Sequence, residues 1–221
     1  MSGFPGIPAD AAAFYAELAD HNTREWWAAN KERYETGVRG SILQLTDALA
    51  EEFGEAKVFR PHRDVRFSAD KTPYKDRQGA IAQVADGMGF YVQLGKEGLT
   101  TGGGYHHRAS DQVARYRAAV DDDTTGPELH RLIDTLQDKG FQIGGDRLKT
   151  RPKGFAEDHP RVELLRHKSL MAWRDHGTPA WMSTPEVVDR VRDDWRDIRP
   201  LGEWLGAQVG PTEQEQRRFR R

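Results

Sequence analysis

The sequence predicts an α+β domain, an antiparallel sheet packed by helices, and three observations carry that expectation. Apolar residues recur at helical spacing up to Gly54, at every second position between Ala80 and Tyr105, and in a mixture of both patterns beyond. No internal repeat or composition shift marks a boundary. Residues 1–210 therefore read as a single domain, and residues 211–221 as a polar, frayed tail.

Asp10 is placed to cap a first helix whose Phe14 and Leu18 share a face over Ile7. Asn22 and Glu25 stand in capping-box register for a second, with Trp26, Asn30 and Tyr34 along one stripe and Trp27 widening it. A third helix from about Ser41 carries Ile42, Leu45, Leu49 and Phe53, and Gly54 sits where a positive φ ends a helix. Residues 80–85 and 89–95 predict a hairpin about Asp86 and Gly87, with Phe90, Val92 and Leu94 facing one way; LTTGGGY adds a third strand. A helix with Val113, Tyr116 and Val120 follows, and then one running from Pro127 to Gly140. Short strands are expected at 141–143, 147–149 and 169–174, with a helical turn at 160–166. Thr184 and Pro185 open a long helix that Pro200 is expected to break.

Composition narrows the function classes. A chain of 221 residues with 37% hydrophobic content can bury a core without staples. Its 33 Lys and Arg against 35 Asp and Glu give a net charge of -2, so any cationic surface must be local. Zero cysteines exclude disulfides, thiolate nucleophiles and Cys-ligated metals. The N-terminal MSGFPGIPAD has neither the basic region nor the apolar run of an export signal, and no segment approaches the length of a membrane span, so a cytoplasmic protein with no membrane partner is expected.

The densest chemistry lies in residues 58–77, VFRPHRDVRFSADKTPYKDR. In an extended chain His62, Asp64, Arg66 and Ser68 share one face while Arg63, Val65 and Phe67 share the other. The Asp64 and Arg66 spacing lets a carboxylate hold a guanidinium in position for a phosphate or carboxylate. Lys71, Tyr74 and Lys75 follow in a loop fixed by Pro73. The run is thus a candidate cationic pocket wall, or else an ion-pair network that only pins the loop.

A second cationic run, residues 148–168, contributes Lys149, Lys153 and Lys168. Brought beside Arg63 and Arg66, these would demand an anion; alternatively they snorkel to water beside Glu157, Asp158 and Glu163. Gly102, Gly103 and Gly104 before Tyr105 either admit an anion to the backbone or make room for a neighbour in a twisted strand. They match neither a dinucleotide fingerprint nor a Walker loop. The short pairs His62 with Asp64, His106 with His107, and Asp158 with His159 lack metal-site spacing, so no metal ligand is assigned and no cofactor is named. Ser68 near His62 and Asp64 lacks the elbow of a hydrolase triad, and Trp26, Trp27, Tyr34 and Phe59 have core spacing more than that of a base-stacking platform.

The runs DHNTREWW from Asp20, RDVRFSADKTPYK from Arg63, GGGY from Gly102 and LKTRPKG from Leu148 resemble the bacterial family catalogued as domain of unknown function 2461. The resemblance spans about residues 14–173 and is most specific from Arg63 to Lys75. It implies that Arg63, Asp64, Arg66, Ser68, Lys71, Tyr74, Lys75, Lys149 and Lys153 are signature positions, and it implies no reaction. Trp27 stands where the family suggests Phe, and His106, His107 and Arg108 replace a more apolar run after the glycines.

The expectation is a site for a small phosphorylated or carboxylated ligand held by Arg63, Arg66, Ser68, Lys71, Tyr74, Lys75, Tyr105, Lys149, Lys153 and Lys168. Asp64 would orient a partner or act as acid and base. A nucleic-acid-binding module using a basic stripe and a structural or interaction domain are the alternatives.

Overall fold

The computed structural model describes residues 3–66, 69–85, 88–105 and 109–213. The chain is α+β. Strands β1 (Ala56–Val58), β2 (Arg77–Ala85), β3 (Met88–Gly95), β4 (Gly98–Tyr105), β5 (Gln142–Gly144) and β6 (Leu170–Gly177) form one sheet in the order β1-β2-β3-β4-β6-β5. The pairing is antiparallel; β1 meets β2 from Ala56 opposite Ala82 to Val58 opposite Ala80, and β5 meets β6 from Gln142 opposite Trp173 to Gly144 opposite Met171. The contacts gather into two compact units. One comprises the described residues of 3–83, 90–101 and 175–195; the other comprises those of 84–89, 102–174 and 196–213.

The first unit begins with α1 (Asp10–Asp20) and α2 (Arg24–Arg33). The helix does not stop after α2 as the sequence suggested: a wide π turn over Tyr34–Arg39 runs straight into α3 (Gly40–Asp47), followed by the short α4 (Ala50–Phe53). Tyr34 and Val38 in that turn are both fully buried. Gly54 does take a positive φ of 81° beyond α4. Phe53 meets Phe90 edge-on at 5.0 Å and Trp195 at 5.1 Å, joining α4 to β3 and to the last long helix.

The second unit holds α5 (Ser110–Asp121), α6 (Thr125–Asp138) and α7 (Val162–Leu165). Tyr116, Val120, Leu129 and Leu136 are buried, and the Tyr116 hydroxyl donates to Leu164 O at 3.0 Å. The expected strand at 147–149 shrinks to a single bridge between Arg147 and His167, because Arg166 claims the carbonyls of Leu148 and Lys149 at 3.0 and 2.7 Å. Of the tail, residues 211–213 are tied down: Arg115 donates to Pro211 O at 2.6 Å, and Asp111 accepts from the Glu213 amide at 2.9 Å. The rest of the expected frayed tail lies outside the described residues.

The last helix, α8 (Glu186–Gln208), continues through Pro200. A proline inside a helix costs roughly 3 kcal/mol. Val187, Val191, Trp195, Ile198, Leu201 and Leu205 stay in phase and buried on both sides of it, and each full burial contributes about 1.5–3 kcal/mol, so continuation wins.

The glycine run lies in β4, and its missing side chains are spent on β6. A Cβ on Gly102 would stand 2.9 Å from Ala172 O; one on Gly104, whose φ is +123°, would stand 2.4 Å from Leu170 O. The twisted-strand reading thus accounts for both glycines. Gly104→Ala is expected to lose about 2–5 kcal/mol and lower Tm by roughly 5–15 °C in thermal unfolding. Gly206→Ala, in α8 with open space around its Cβ, should leave Tm unchanged or raise it slightly.

Candidate functional site

The central stretch is organised by a clasp in the first unit. The Arg63 amide donates to Pro73 O at 2.9 Å and the Lys75 amide to Pro61 O at 2.8 Å, pairing the two ends of the run around a bridge between His62 and Tyr74. Both prolines serve as acceptors, the only main-chain role left to them. Tyr74 is buried and lies flat on Trp27, with ring centroids 4.0 Å apart and planes 7° from parallel. Asn22 completes the anchor with a two-way bond, its amide donating to Tyr74 O at 3.0 Å and its oxygen accepting from the Tyr74 amide at 3.1 Å. That is why Asn22 does not cap α2. Thr23 takes the capping role instead, accepting from the Trp26 amide at 3.2 Å.

The clasp sets Arg63 and Lys75 on a hollow of about 450 Å³ lined by Phe59, Arg63, Lys75, Asp76, Arg77, Gly79 and Tyr91. Tyr91 crosses Gly79 so closely that a Cβ there would stand 2.5 Å from its hydroxyl. Arg77 holds Asp76 through two bonds of 2.9 and 3.1 Å, while Arg63 reaches the Asp70 carboxylate. Lys75 differs. Its ammonium lies 5.5 Å over the Phe59 ring, and no carboxylate pairs with it among the described residues. Partial burial, with the Arg60 charge adding to it, pulls the Lys75 pKa below the ordinary lysine value. Burial pushes the Tyr91 phenol up, so its proton is retained; the hydroxyl donates to Gln93 Oε1 at 2.9 Å.

A buried relay fixes the floor. Tyr34 donates to Gln78 Oε1 at 2.5 Å, and Gln78 donates through its amide to Phe59 O and Gly79 O, both at 2.9 Å. Every member is bonded, the condition under which a buried polar group is tolerated.

The other expected site residues fall elsewhere. Between residues 61 and 66 exposure alternates as an extended chain requires, with His62, Asp64 and Arg66 outward and Arg63 and Val65 more sheltered. Arg66 is 72% exposed and does grip Asp64, at 2.6 and 3.0 Å, but neither lines the hollow. Lys71 donates to Val65 O at 3.0 Å on the exposed loop. Tyr74 is the anchor just described, and the deeply buried Tyr105 donates to Gly210 O at 3.3 Å. Lys149, Lys153 and Lys168 belong to the second unit, where all three are exposed and Lys168 faces Asp146 at 3.8 Å. Ser68, His106 and His107 lie outside the described residues.

Arg77, Gly79 and Tyr91 were missing from the expected site, although a signal for Tyr91 existed. If Phe90, Val92 and Leu94 face the core, then Tyr91 and Gln93 must face the other way, onto the surface beside β2. Among the described residues no three His, Cys, Asp or Glu side chains gather as a metal site would require, and no described helix is long and apolar enough to cross a membrane.

The sequence matches the family model described as conserved hypothetical protein, DUF2461, over residues 10–204. The chain belongs to this family. No curated protein matches it. In this DUF2461 protein the stretch from Arg63 to Lys75 therefore has two tasks, since Tyr74 anchors it in the core while Arg63 and Lys75 border the hollow.

The Arg66 guanidinium, through its side-chain bonds first and the Arg66 amide second, holds the Asp64 carboxyl down to about 2. An acid that strong is ionised throughout the physiological range, so it suits orientation rather than proton donation. A carboxyl depressed in the folded state contributes stability above its unfolded pKa and loses it as pH falls through the folded value. An NMR titration should place Asp64 near 2 in the wild type and close to an ordinary aspartate, about 3.9, in Arg66→Ala.

Proposed function

We propose that the hollow bordered by Arg63, Lys75 and Arg77 binds a small phosphorylated or carboxylated molecule, as a binding site or as the active site of an enzyme. The observation that carries this reading is the charge of the lining: three cationic side chains stand with one carboxylate, Asp76, which Arg77 engages, while Arg63 reaches Asp70 outside the lining. Lys75 completes the case, being a partly desolvated ammonium that no carboxylate pairs with among the described residues. Charges of one sign at a concave, partly apolar surface favour a counter-charged guest. Arg63 and Arg77 offer planar donors suited to two oxygens of a phosphate or carboxylate, and Lys75 offers a point charge. Phe59 and Tyr91 supply an apolar floor for the body of the ligand.

Thermal unfolding in the presence of phosphate, short carboxylates, mononucleotides and a short oligonucleotide tests this reading. A ligand at about 100 times its Kd stabilises by about 2.7 kcal/mol, which raises Tm by roughly 5–10 °C for a chain of this length. The rise should vanish in Arg63→Ala and Arg77→Ala and persist in Arg66→Ala. Equal shifts in all three variants would remove the hollow from consideration. A response to the oligonucleotide alone, lost steeply with salt, would favour a nucleic-acid module, and no response to any compound would favour a structural or interaction domain.

A further inference from the structure

Lys75 has the surroundings of a reactive amine as well as those of an anion ligand. Its root is fixed, since the Lys75 amide is bonded to Pro61 O and the preceding residue is clamped between Trp27 and Asn22. Its ammonium lies 5.5 Å over the Phe59 ring. The charged and titratable groups around it are Arg60 and Arg63 on its own clasp, Asp76 and Arg77 at the start of β2, and Tyr91 on β3. The Arg60 charge disfavours a further positive charge, while Arg63 and Arg77 are each engaged by a carboxylate, Asp70 and Asp76. Asp76, the one carboxylate of the lining, is occupied by Arg77, and the Tyr91 phenol stays protonated and neutral. Desolvation and neighbouring cations are the two means by which a lysine is kept as the free amine that attacks carbonyl carbon. Both act on Lys75, and in the same direction.

We propose that Lys75 forms an imine with an aldehyde or ketone that carries a phosphate or carboxylate group, the anionic end being held by Arg63 and Arg77. The inference rests on the anion-binding reading of the same hollow and adds the reacting atom. The Nζ lone pair adds to the carbonyl carbon, the carbonyl oxygen gains a proton and the nitrogen loses one, giving a carbinolamine. Expulsion of its hydroxyl with a further proton as water leaves the carbon-nitrogen double bond. One water forms per imine, nothing is oxidised or reduced, and no co-reactant is needed.

Reductive trapping tests this directly. The full-length protein is incubated with glycolaldehyde phosphate, succinic semialdehyde or uncharged propanal, each with cyanoborohydride, and the modified lysines are located by peptide mass spectrometry. Lys75 is expected to be labelled severalfold faster than exposed Lys71 by the two anionic aldehydes, whose charged end Arg63 and Arg77 hold beside it, and with a smaller preference by propanal, and free phosphate should suppress the labelling by the anionic pair. Lys75→Arg should lose the selective adduct. Labelling of Lys75 no faster than Lys71 would overturn the imine, and a retained phosphate shift in that case would leave the anion site standing. If phosphate neither shifts Tm nor suppresses labelling, the anion-binding reading falls, and preference for the anionic aldehydes falls with it.

Discussion

The flat contact between Tyr74 and Trp27 is the constraint on which the hollow depends. Residues 61–75 are rich in charge, and among their described members only Tyr74 is buried. Fixing a residue's backbone costs about 1–2 kcal/mol. Burial of one aromatic side chain returns about 1.5–3 kcal/mol, stacking adds about 0.5–1.5, and each of the bonds from Asn22 adds about 1. Those gains suffice to order the few residues of the clasp. The ordering is accordingly concentrated where it matters for binding, at Arg63 on one arm and Lys75 on the other.

The charge pattern follows from that geometry. Arginines outside the hollow are mostly spent on local work: Arg33 ties Asp10 to Glu17, Arg161 closes the end of α5 through Val120 O at 2.6 Å, and Arg166 staples the loop at Leu148. Such side chains explain how a chain with a net charge of -2 carries dense basic runs whose charge is largely balanced locally. Lys75 stands apart because the clasp points it at an aromatic face and its neighbours are themselves cationic. Partial burial first, and the Arg60 charge second, depress its pKa.

Much of this was legible in the residues. The change from helical to alternating spacing after Gly54 gives the class of the fold, and the alternation at Phe90, Val92 and Leu94 gives the buried face of β3. The cationic density of residues 58–77 marked the segment that supplies Phe59, Arg63, Lys75, Asp76 and Arg77 to the hollow, and its alternation from His62 to Arg66 was readable from the pleat. Three things were not legible. Asn22 has the composition and spacing of a helix cap, and only the tertiary position of Tyr74, fifty-two residues on, turns it into a clasp. Pro200 is a helix breaker by local rules, overridden by an apolar stripe that stays in phase across it. Tyr91 and Gly79 reach the hollow through strand pairing, and pairing is not written at either position alone.

The most direct test of the account is a crystal of the protein soaked in tungstate, a heavy tetrahedral anion whose position is unambiguous in anomalous maps. The account predicts one anion bound between Arg63, Lys75 and Arg77, with Tyr74 still stacked on Trp27. Tungstate ordered only at other basic side chains, with that hollow empty at saturating concentration, would contradict it.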